Sequence, residues 1–115
     1  MAINTLIIDT VKPIVSVCVP DIHYGPEKEY CTFNTSIHGE NHGDDEPTAL
    51  LYRIQLHYFL PNGINPRPVL KKLSRALLQA DMVWPEVTNA SDRDSQHYVL
   101  ETEWVGGVPD GESDS

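Results

Sequence analysis

Five histidines, at positions 23, 38, 42, 57 and 97, are the side chains best suited to acid–base or metal chemistry in this 115-residue chain. His38-x3-His42 precedes Asp44, Asp45 and Glu46. Histidines four apart share a metal when a helix sets them on one face. Gly39 and Gly43 interrupt that segment, HGENHGDDEP, so it reads as a polar, acidic loop over 38–47 and the spacing loses its geometric meaning. His57 and His97 fall in alternating segments with polar neighbours. If those segments pair, the two imidazoles come close together and near Glu101, and a His/Glu pair is competent for proton transfer. Catalysis would also require a pocket and a nucleophile or metal. The sequence holds no Gly-rich phosphate loop, no G-x-S-x-G elbow and no H-E-x-x-H. The two histidines therefore read as a surface or interface pair, and no catalytic, cofactor-binding or metal residue is assigned. Glu101 and Glu103 project from one side of one strand, whereas catalytic carboxylates flank a cleft from different elements. They read as an acidic sheet face. Trp84 and Trp104 read as core aromatics, with interface anchors as the alternative.

The charge balance narrows the partners. Seventeen acidic and eight basic residues give a formal charge of −9. A protein that neutralises nucleic-acid phosphates or docks on an anionic membrane needs the opposite sign. No stretch approaches the ~20 apolar residues of a membrane-spanning helix. The N-terminal segment lacks the basic start and long apolar run of a secretory signal, so the expectation is a protein made and used in cytoplasm, or packaged into something assembled there. Cys18 and Cys31 then read as reduced thiols, with one disulfide possible if their strands pair in register. Without secretion, the acceptor-like Asn89-Ala90-Ser91 carries no meaning.

These residues must be positioned by a small set of elements. Ile3, Leu6, Ile7 and Val11 share one helical face, and Pro13 ends that helix. Residues 14–19 form a β-branched run ended by Pro20. Residues 29–37 alternate, with Cys31, Phe33, Thr35 and Ile37 on one side. Residues 48–60 form the strongest strand: Tyr52, Ile54, Leu56, Tyr58 and Leu60 face one way, Arg53, Gln55, His57 and Phe59 the other. Pro61 and Asn62-Gly63 stop it, and Asn65 is placed to cap a helix over 66–80 that opens with Pro66. That helix turns Val69, Leu70, Leu73, Ala76, Leu77 and Ala80 inward and Lys71, Lys72 and Arg75 outward. After a passage over 81–86 and a polar connection over 88–96, residues 97–105 alternate again. The expected fold is α+β: an antiparallel sheet of about four strands with two helices packed on one face. One domain spans 1–105, and 106–115, rich in Gly, Asp and Ser, reads as a disordered acidic tail.

The order of these segments carries a resemblance. An N-terminal helix is followed by KPIVSVCVPDIHYGPEKEYCTF, the acidic GDDEPTALLYRIQLHYF, a Pro-rich corner, the helix VLKKLSRALLQADMVW and a closing DSQHYVLETEW. This order resembles the tail-completion, or tail-terminator, proteins that join head to tail in long-tailed bacteriophages and prophages. Tyr30, Asp44-Asp45-Glu46, Tyr52, Ile54, Gln55, Leu70, Leu73, Leu77, His97 and Tyr98 follow the family's order. The resemblance implies a virion protein, not an enzyme, that forms a ring, usually hexameric, at the head-proximal end of the tail. Its implied partners are further copies of itself, the tail tube protein and the head–tail connector. No cofactor is implied, and DNA passes through such a ring without specific binding. Asp44, Asp45, Glu46, Arg53, His57, Lys71 and Arg75 are the expected subunit or partner contacts, with the acidic loop pairing to Arg53 or to the helix of a neighbour. The alternatives are a small cytoplasmic acid–base enzyme using His57, His97 and Glu101, and a monomeric acidic adaptor for a basic partner.

Overall fold

A computed structural model of the chain describes residues 3–40 and 49–107. In chain order the elements are α1 (Ile3–Val11), β1 (Cys18–Pro20), β2 (Tyr30–Glu40), β3 (Ala49–Leu60), α2 (Arg67–Gln79), β4 (Glu86–Asn89) and β5 (Gln96–Gly107). They build an α+β fold on one sheet with the order β1-β2-β3-β5-β4. Three features differ from the sequence expectation. There are five strands rather than about four, the sheet is mixed, and the polar segments at 38–47 and 106–115 begin as strand. β1 lies parallel to β2, with Cys18 opposite Cys31. The loop over 21–29 returns the chain to the end of β1 from which it started, where a hairpin would have reversed it. β4 lacked a hydrophobic signature because all four of its residues are exposed; ladder pairing to β5 alone makes it a strand. His38–Glu40 and Gly106–Gly107 flank Ala49–Leu51 and extend the ladder at its far end. The rest of the acidic loop, including Asp44, Asp45 and Glu46, and the tail from 108 onward lie outside the described residues.

The alternation read from the sequence sorts the two sheet faces. Cys31, Phe33, Tyr52, Ile54, Leu56, Tyr58, Leu60 and Leu100 are buried on one face, together with Ile3, Ile7 and Val11 of α1 and Leu73 and Leu77 of α2. Both helices therefore cover the same side. Each fully buried Leu or Ile there contributes about 1.5–3 kcal/mol relative to an exposed one. β3 pairs along its full length with β5 and over Ala49–Phe59 with β2, making it the central strand.

The corner between β3 and α2 is tied down by side chains. Gly63 takes φ +89°, which an L side chain rarely adopts. Gln96 donates its amide to the Pro61 and Ile64 carbonyls at 3.0 and 2.7 Å, and Asn62 donates to the Arg93 carbonyl at 2.9 Å. The helix begins one residue later than its sequence suggests. Pro66 occupies the N-cap, and Asn65 instead accepts the Arg67 N–H at 3.1 Å. At the other end, Met82 N–H reaches the Leu77 carbonyl at 3.0 Å and Asp81 N–H the Leu78 carbonyl at 3.1 Å. That is a Schellman closure, and its left-handed residue is Asp81, φ 67°, where glycine is the usual occupant.

Candidate functional site

Among the described residues nothing covers the sheet face opposite the helices, and its side chains fall into two zones. Toward one end, β2, β3 and β5 align Tyr30, Phe59 and His97 in a single cross-strand row. Their rings stack, with centroids 4.7 Å apart for Tyr30–Phe59 and 4.1 Å for Phe59–His97. His23 tilts against the Tyr30 end of the row at 4.5 Å. His57 sits one step along, with its Nδ1 2.9 Å from His97 Nε2. The Asn34 amide nitrogen, which can only donate, lies 3.3 Å from His57 Nε2. Burial lowers the pKa of both imidazoles. Glu101 opposes the effect at His57. At His97 the neighbouring imidazole adds to it and Asp92 opposes it. The strand register holds the two imidazoles against each other, and burial there disfavours charging either of them.

The second zone is a groove of about 490 Å³. Asn34, Ser36, Arg53, Gln55, Glu101, Glu103 and Glu86 line it from the sheet face, and Val83 and Trp84 line it from the segment that leads into β4. Val83 is fixed there by its N–H to the Glu103 carbonyl at 3.1 Å and by the Thr102 hydroxyl, which donates to its carbonyl. Trp84 is 51% exposed, against the core position expected of it, because Pro85 and the Val83 anchor hold the segment across the sheet edge. Trp104 does pack against the core, with its ring centroid 5.3 Å from that of Tyr52. Arg53 Nε lies 3.4 Å from Glu103 Oε2. Glu101 stands directly opposite Glu86, like charge against like.

Of the expected contact residues, Arg53 and His57 share this face but lie in different zones of it, four residues apart on β3, and Arg53 pairs with Glu103 of its own chain. Lys71 and Arg75, with Lys72, are exposed on the outer side of α2, across the molecule from the groove, and none of the three has an acidic partner among the described residues. Asp44, Asp45 and Glu46 lie outside the described residues. Glu86 was missed from the sequence, and Trp84, read there as a core aromatic with an interface anchor as the alternative, takes the exposed position; an aromatic next to proline in a polar connection was the available signal. Glu101 lines the groove and neither imidazole does, so the groove does not bring the three groups together. Among the described residues no three His, Cys, Asp or Glu side chains are placed to hold a metal ion. No helix of the described residues is long and apolar enough to cross a membrane. Compared with models of known protein families and with curated proteins, the chain matches none.

Proposed function

We propose that this chain is a structural virion subunit of the tail-completion type. Copies of it assemble as a ring, hexameric in the usual case, at the head-proximal end of a phage tail. The ring ends the tail tube or joins the tail to the head connector. The order of segments in the sequence motivates this reading. One structural observation carries it: the β2–β3–β5 ladder runs on beyond its edge strands. Among the described residues, β2 from Asn34 to Glu40 pairs only with β3, and β5 from Trp104 to Gly107 likewise. Main-chain donors and acceptors on such edges are templates for another chain. The uncovered face beside them is an extended surface, better suited to contact with subunits than to enclosing a substrate.

The test is the solution mass of the purified chain, followed by electron microscopy after mixing it with purified tail tubes. Density at one end of the tubes is expected. Tubes left bare at both ends would overturn the proposal. A protein that stays monomeric and captures a basic partner instead would favour the adaptor.

A further inference from the structure

We propose that the acidic groove beside Trp84 receives the outer face of α2 from a second copy of this chain. The two surfaces match in charge, in spacing and in apolar content. In the groove, Arg53 neutralises Glu103, while Glu86 and Glu101 face each other with no cation assigned to them among the described residues. A directly opposed like-charged pair destabilises a sheet unless something neutralises it. On α2, Lys71 and Arg75 are exposed and one turn apart. Residues four apart on a helix hold their Cβ atoms about 5–6 Å apart, and directly opposed residues on an antiparallel pair hold theirs about 4.5–5.5 Å apart. One cation can therefore meet each carboxylate without distorting either element. Leu78 follows Arg75 by three residues on the same face and is 50% exposed. Trp84 and Val83, 51% and 56% exposed, give it an apolar shelf.

The groove lies on the uncovered side of the sheet and α2 on the covered side, so the contact joins opposite sides of successive copies. Such a head-to-tail contact closes into a ring when its rotation permits and otherwise propagates. The inference deepens the ring reading by naming the contact that would build it. Each copy carries −9 overall, and that long-range repulsion is damped near 0.1 M salt, where the screening length is about 10 Å, while ion pairs in contact persist.

Sedimentation of the full chain at about 0.1 M salt, and again at about 1 M, tests the contact. The wild type should form a discrete oligomer that weakens at the higher salt. K71E/R75E and E86K/E101K should each weaken association by roughly 30- to 100-fold, with unchanged circular dichroism. E86K/E101K leaves the Arg53–Glu103 pair in place and replaces one opposed like-charged pair by another. Mixing the two variants in equal amounts should restore the oligomer, because each then offers the surface the other has lost. A wild type that stays monomeric, variants that associate normally, or a mixture that stays dissociated would overturn the contact. Tail-tube ends capped by wild type despite such a result would leave the ring reading standing. Restoration in the mixture with bare tubes would instead remove the tail reading and keep the contact.

Discussion

Replacing Glu101 by Gln should stabilise the isolated subunit and weaken its assembly, two effects of opposite sign from one carboxylate. Glu101 stands opposite Glu86 at the exposed margin of the sheet. Cross-strand pairs of this kind contribute about 0.2–1 kcal/mol, and directly opposed like charges act in the unfavourable direction. Removing one charge should therefore raise the stability of the monomer by about 0.2–1 kcal/mol. For a domain of this size that corresponds to a rise in melting temperature of about 1–6 °C. The gain is electrostatic, so it should shrink toward zero at 1 M salt, where the screening length is about 3 Å. Urea unfolding of Glu101→Gln and wild type at 0.05 and about 1 M salt, at a protein concentration low enough to keep both monomeric, reads the effect. Sedimentation at higher concentration should show weaker association of the same variant. A variant less stable than wild type at low salt, or a gain that ignores salt, would refute the reasoning about the Glu86–Glu101 pair. A stabilised variant that assembles as well as wild type would keep the pair and discard its proposed role in docking.

Acidification should cost stability through the imidazole pair. The folded state lowers the pKa of His57 and His97 below the ordinary 6.5, so the unfolded chain binds protons first. Stability is full above about pH 6.5 and declines as the pH falls through that value toward the lower folded pKa values. Urea midpoints at about pH 7.5 and 5.5 should show this loss, and His57→Gln with His97→Gln should flatten it; an equal loss in the double variant would sink the assignment. Asp81→Gly should raise stability by roughly 0.5–1 kcal/mol with no change in the urea m-value, because glycine relieves the left-handed backbone at the end of α2. A loss there would mean that the aspartate side chain contributes more than its strain. Burial pushes the Cys18 thiol up to about 12 and Cys31 further in the same direction. Both should resist a thiol reagent near pH 8 in the native protein and react once it is unfolded in urea. Fast reaction of either in the native state would contradict their burial on β1 and β2.

Much of the fold was legible because burial leaves a period in the sequence. The two-residue alternation through Tyr52–Leu60 and Tyr98–Trp104 assigned each side chain to the face it occupies, and the stripe on α2 did the same for Leu73 and Leu77. Prolines and Asn62-Gly63 marked the corner, since they act on the local backbone. β4 left no such mark because none of its side chains is buried. The parallel placement of β1 was equally silent, because direction depends on the path of the 21–29 loop. Asp81 stands where glycine would have announced the end of α2.

The candidate site divides along the same line. By itself the sequence determined which residues face away from the core: Arg53, His57, His97, Glu101 and Glu103 on the strands, Lys71, Lys72 and Arg75 on the helix. That follows from periodicity, which is a local property. Only the tertiary structure decided which of them meet. The register of β3 on β5 sets His57 against His97, and that of β4 on β5 sets Glu86 against Glu101. Register is a relation between segments far apart in the chain. It is settled by how two buried faces interlock, and the exposed residues follow wherever that packing carries them.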